Sequence, residues 1–231
     1  MWKEDRMKDI KKYLQIPSRM ESRLYRAGKK RRLRNRTPSI LSHNCNGGII
    51  LHDLGLVFNT PMINTGATPQ NFIKFLSDIS KYVEAEDSAF MDTGRIYDGC
   101  FVASLLDIEI ILAHSDSFEE GYINWNRRKN RINFNNLFIF MTDQTHDAHA
   151  CTYEDLLAFD RLPHKNKVIF TYKEYPEIQS AYYIRGFEEK GEVGILSDYK
   201  RGYFKRRFLD DFDYVSFFNG VPLEEIKKKR R

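Results

Sequence analysis

Three short apolar runs constrain this chain more than any other feature: "SILSHN" at 39–44, "NLFIFMTD" at 136–143 and "KVIFTYK" at 167–173. Each is too short and too continuously apolar for a surface helix and has the length of a strand buried on both faces. Segments with apolar residues at helical spacing lie between them. In "PQNFIKFLSDISKYV", Phe72, Phe75, Leu76, Ile79 and Val83 share a face, and Pro69 stands at a first-turn position, which predicts one helix over 69–83. Ser117 followed by Glu120, and Thr152 followed by Asp155, have the spacing of capping boxes and start helices over "SFEEGYINWNRRKNRI" and "TYEDLLAFDRL". "FVASLLDIEIILAH" reads as a strand pair or one long strand; "SAYYIRGF" and "FDYVSFFNG" read as weaker strands. Residues 84–100 read as a loop. Strands alternating with helices predict an α/β fold, a largely parallel sheet with helices on both faces, preceded by a basic N-terminal helical arm.

Charge sets that arm apart. Residues 1–36 hold 14 Lys and Arg against 4 Asp and Glu, and the chain ends in "KKKRR", so a net charge of only +5 conceals an acidic body between basic ends. Two short basic helices are expected in the arm, the second fading at Gly28. The expected organisation is the arm at 1–36 and a single α/β domain at 37–231. The basic ends would dock on the body or touch an anionic membrane face. Nucleic acid is disfavoured, because no RNA-module signature is present and the body is acidic. No apolar run reaches bilayer-spanning length, no signal-peptide apolar region opens the chain, and three irregularly spaced cysteines do not form a disulfide framework. A cytoplasmic protein, peripheral to the inner membrane through its basic ends, is the expectation.

The chemistry concentrates where strands end. "SHNCNGGIILHDLG" (42–55) takes a strand through Asn44, Cys45 and the Gly47–Gly48 pair into a helix. Glycines let backbone amides approach a ligand, and a helix start favours phosphate or carboxylate. The spacing is neither a Walker loop nor GxGxxG; a tight strand–helix turn that needs small residues is the competing explanation. Cys45, at the helix start, has His43 and His52 near in sequence. His52 and Asp53 are candidate general bases. Asp143 ends the central apolar run, where α/β proteins place functional carboxylates, and would hold a hydroxyl or a divalent cation. No other cofactor is suggested. His146, His149 and Cys151 form no known zinc pattern, so no metal site is assigned. Trp125 with Arg127, Arg128, Lys129 and Arg131 mixes an aromatic ring with guanidinium forks suited to phosphates, on what would otherwise be an ordinary solvated helix face.

Several blocks together resemble one bacterial family: "LSHNCNGGIILHDLGLVFNTPMIN", "FIKFLSDISKYV", "DIEIILAHSDSFEEGYINWNRRKNRINFNNLFIFMTD" and "FDRLPHKNKVIFTYKEYPEIQSAYYI". The family is that of exopolysaccharide, capsule or lipopolysaccharide biosynthesis proteins, and the likeness spans about residues 18 to 219. Its Asn-Cys-x-Gly-Gly block falls on Asn44, Cys45, Gly47 and Gly48, and its Trp-x-x-Arg-x-x-Arg-Ile-Asn block on Trp125, Arg128, Arg131, Ile132 and Asn133. After Asp143 the chain departs from the pattern: "QTHDAHAC" replaces a shorter turn. The resemblance implies a protein of cell-surface polysaccharide assembly and brings no catalytic residues. Two function classes follow. One is a transferase binding a nucleotide-sugar or phosphorylated sugar, with His52, Asp53 and Asp143 as catalytic candidates and Asn44, Cys45, Gly47, Gly48, Asn64 and Arg128 as ligand-binding candidates. The other is a non-catalytic adaptor at the inner membrane face or on an assembly partner.

Overall fold

The computed structural model describes residues 23–144, 150–200 and 206–230. A helix, α1, spans 23–32. The chain then forms β1 (Ser39–Ser42), α2 (Asn46–Leu54), α3 (Pro69–Ser77), α4 (Ile79–Val83), β2 (Phe90–Tyr97), β3 (Cys100–Leu105), β4 (Ile108–Leu112) and α5 (Phe118–Lys129). It continues with β5 (Leu137–Thr142), α6 (Tyr153–Arg161), β6 (Lys167–Thr171), β7 (Ala181–Tyr183), α7 (Tyr214–Phe218) and α8 (Leu223–Arg230).

β1, β5, β6 and β7 form a sheet in that order, and every neighbouring pair is parallel. The expected parallel α/β sheet is therefore present. Because the four strands run the same way, Ser42, Thr142, Thr171 and Tyr183 end along one edge. Side chains alternate between two cores. Leu41, Ile139, Met141, Ile169 and Ala181 join one core with α3, α4, α5 and α6, while Ile40, Phe138, Phe140, Val168, Phe170 and Tyr182 join the other with α2, α7 and α8. β2, β3 and β4 make a separate antiparallel sheet that adds Phe90, Ala103, Leu105, Ile108, Ile110 and Leu112 to the first core. Its last strand is bridged to the loop after α2 through Gly66 and Ile111, which places the segment following β4 beside the end of β1.

Local signals explain most of the helices. Thr68 accepts a hydrogen bond from the Asn71 amide at 3.2 Å and Pro69 fills the first turn of α3. Thr152 and Asp155 close a reciprocal capping box on α6. Ser117 caps α5, and the Glu120 carboxylate turns back to the Asp116 amide at 2.8 Å.

Three segments differ from expectation. The single helix over 69–83 is interrupted at Asp78, which adopts φ −153°, ψ 77° and caps α4 with its own side chain. Residues 90–97 are a strand, not a loop: β2 is mostly exposed, and a register irregularity between Asp92 and Arg95 erases the apolar alternation that would have revealed it. "FDYVSFFNG" contains helix α7, capped by Asp213, and not a strand. A five-residue element buried nearly all round carries no period to distinguish the two.

The described part of the basic arm lies on the body. α1 continues through Gly28, where an added Cβ would meet nothing, and runs to residue 32. Lys29 is 4% exposed, bonds Asp210 at 2.7 Å and sits over the Tyr25 and Tyr214 rings. Leu33 is buried in the second core. The first of the two expected arm helices lies outside the described residues. No helix among the described residues is long and apolar enough to cross a membrane.

Candidate functional site

β1 delivers His43, Asn44 and Cys45 to the carboxyl edge of the sheet. His43 is 1% exposed. Its Nε2 accepts the Thr142 amide at 3.0 Å, so Nδ1 carries the proton and faces the Ala67 carbonyl at 3.3 Å. This neutral ring ties β1 to β5 and to the loop before α3. Asn44 holds the turn together: its Oδ1 accepts from Ser42 Oγ and the Asn46 amide, both at 3.1 Å, while its amide nitrogen donates to Thr142 Oγ1 at 3.0 Å.

α2 starts against this frame with Cys45 at its N-cap, a residue that supplies no side-chain cap. The Asn46 amide is used by Asn44, but among the described residues the amides of Gly47 and Gly48 have no hydrogen-bond acceptor. The glycines serve packing as well. A Cβ on Gly47 would lie 3.0 Å from both Ile40 Cγ2 and Ser42 Cβ, and one on Gly48 would lie 3.3 Å from Asn64 Oδ1. The absence of side chains lets α2 press its first turn onto β1, and the unpaired amides are those that any helix start leaves without an intrahelical acceptor.

Asn64 and His114 both adopt φ 61°, a left-handed backbone uncommon outside glycine. They line one small cavity of about 230 Å³ together with Arg127 and Arg128. His114 Nε2 stands 3.3 Å from Cys45 Sγ. Burial pushes the Cys45 thiol up, so it rests as a thiol. A second hollow of about 380 Å³ shares Arg127 and Arg128 and adds His52, Phe58 and Arg131. Arg128 is 7% exposed, donates to the Ile63 carbonyl at 2.7 Å and packs over the Phe58 ring. Burial, then the neighbouring Arg127 and Arg131 charges, lower its pKa, with only Glu120 opposing. Among the described residues no carboxylate pairs with Arg128. Arg127 and Arg131 thus leave the partly buried Arg128 guanidinium in a positive local field, with Glu120 lining the smaller cavity beside it.

The expected site residues therefore divide. Asn44, Cys45, Gly47, Gly48, Asn64 and Arg128 gather around α2's first turn and the adjoining cavity. His52 is exposed and opens on the second hollow. Asp53 does not share that environment: it is 3% exposed and held by Arg207 and, at 3.5 Å, by Arg26. About 100° around α2 separates it from His52, and there its ion pairs tie the arm and the C-terminal region to the helix, away from the residues lining the two hollows. Asp143 forms a separate centre, on the side of β5 that Met141 faces. It is 6% exposed, and among the described residues its Oδ2 has no hydrogen-bond partner. Burial pushes its carboxyl up to about 6, opposed by Lys173 and reinforced by Glu192. Burial pushes the nearby Cys151 thiol up as well, with the Asp143 charge adding to it. His146 and His149 lie outside the described residues, and no group of three metal-ligating side chains is found among those described. His114 was invisible in the sequence, since "LAHS" carries no motif; only the bridge between Gly66 and Ile111 brings it to Cys45.

Fold and site together define an α/β protein with a parallel four-stranded sheet and an arginine-lined cleft near the first strand's carboxyl end. The family described as a domain of unknown function (DUF1919) matches residues 16–219, and the chain belongs to it. It is similar to an uncharacterized protein of Haemophilus influenzae, at 41% identity over 189 residues, which is 82% of this chain and 87% of the relative.

Proposed function

We propose that the protein binds a phosphorylated sugar, as a sugar phosphate or nucleotide-sugar, and acts as a transferase in the cytoplasmic steps of cell-surface polysaccharide biosynthesis. The observation that carries this reading is Arg128: nearly buried, without an ion-paired carboxylate among the described residues, and lining both hollows with Arg127. A phosphate would accept from the three guanidinium groups, and the Gly47 and Gly48 amides extend the same positive field. The sugar would face Asn64 and His114. A divalent cation would enter with the phosphate, since Asp143, the residue expected to hold one, stands apart from the arginines. The polysaccharide pathway is supported by the family resemblance of the quoted blocks.

Calorimetric titration with uridine and cytidine diphosphate sugars and simple sugar phosphates, with and without Mg²⁺ or Mn²⁺, tests the reading. Binding is expected from at least one ligand, weakened roughly tenfold or more by Arg128→Gln, the loss of a charge-assisted hydrogen bond. No heat from any ligand, with or without ions, overturns it. The adaptor reading draws less support, because Arg26, Lys29 and Arg32 are engaged by Asp53, Asp210 and Asp213 of the body; contact with an anionic membrane would rest on residues 1–22, outside the described residues.

A further inference from the structure

We propose that Cys45 and His114 form a nucleophile and general-base pair at the arginine-lined cavity, and that the Cys45 sulfur attacks the phosphorus of the phosphate held there. This deepens the anion-binding reading and rests on it for the identity of the electrophile. Four observations converge. Cys45 Sγ and His114 Nε2 are 3.3 Å apart. His114 lines the same cavity as Arg127, Arg128 and Glu120, so a phosphate bound there lies beside the imidazole that contacts Cys45. Cys45 is the N-cap of α2, and the two glycine amides that follow it have no acceptor among the described residues, which suits the negative charge that grows on phosphoryl oxygens during attack. His114 and Asn64, which both line the cavity, sit in left-handed backbone, the kind of local strain that functional sites retain.

The step balances as follows. The Sγ proton passes to His114 Nε2, the S–P bond forms as the P–O bond to the sugar breaks, and His114 returns the proton to the departing sugar oxygen. An acceptor hydroxyl, or water in its absence, then attacks phosphorus, breaks the S–P bond and restores the thiol. The substrate class is a phosphomonoester or phosphoanhydride of a sugar. Because the thiol is protonated at rest, the imidazole is required for the first step.

The test uses the full chain and reads each cysteine separately by mass spectrometry during alkylation with iodoacetamide. His114→Asn, chosen because Asn tolerates the left-handed backbone, is expected to slow alkylation of Cys45 roughly tenfold or more at an unchanged unfolding midpoint. Indifference of Cys45 to His114→Asn overturns the pair. Inorganic phosphate is expected to protect Cys45. A His114-dependent Cys45 that phosphate does not protect leaves the pair standing and overturns the anion-binding reading. The phosphoryl step is read with 4-nitrophenyl phosphate and acetyl phosphate: one phosphoryl mass on Cys45, absent in Cys45→Ser, supports it, and no adduct on an alkylation-competent Cys45 overturns it.

Discussion

Asp143 shows how one side chain links burial to proton affinity. Its carboxyl lies at the end of an interior strand, without a hydrogen bond to Oδ2 among the described residues, and burial raises its pKa from 3.8 to about 6. A carboxyl that holds its proton more tightly when folded makes the protein lose stability as pH rises from about 4 to about 6. Asp143→Asn removes the ionisable group at nearly constant shape. It is expected to leave stability unchanged at pH 4 and to raise it by about 2 kcal/mol at pH 8, measured by urea unfolding at the two pH values. The sequence placed Asp143 at a strand end correctly, because a polar residue closing an apolar run is a local signal. It could not place Asp53, whose ion pair with Arg207 spans 154 residues, nor pair His114 with Cys45 across 69. Distances of that kind are set by topology, which single-residue patterns do not encode.

At the scale of elements, legibility follows burial on one side. α3, α5 and α6 each have one buried face and a side-chain cap, so spacing and capping residues revealed them. β2 has almost no buried face and α7 has almost no exposed one; each lacks the contrast that makes a period visible. The arm was legible as basic and helical, but its docking was not. α1 is held by Lys29 in a buried ion pair and by the Leu33 side chain, 2% exposed, in the second core. Leu33→Ala is expected to cost about 2–5 kcal/mol by leaving a cavity, read from the denaturation midpoint. An exposed arm residue such as Arg31→Ala is expected to shift the same midpoint by no more than about 0.5 kcal/mol. If both substitutions were equally mild, the arm would contribute little to the folded body.

At the scale of the whole molecule, one sheet carries two cores. Phe140 and its neighbours Phe170, Phe212, Phe217 and Phe218 pack on one face, and Phe75 packs with Tyr82 and Trp125 on the other. Strands shared by both cores couple them, so Phe140→Ala and Phe75→Ala are each expected to lower one common unfolding transition by about 3–5 kcal/mol. Two separated transitions in calorimetry, with each substitution moving only one, would show that the faces melt independently. The acidic body and the basic N-terminal arm noticed in the sequence meet in the folded chain: Lys29 bonds Asp210 across 181 residues, and Arg32 bonds Asp213 across the same interval. During synthesis, then, Lys29 and Arg32 leave the ribosome long before Asp210 and Asp213 exist, whereas Asp53, the partner of Arg26, follows soon after α1. Two of the helix's cations stay without these partners until about nine-tenths of the chain has been made, and a product truncated before residue 210 would leave them so.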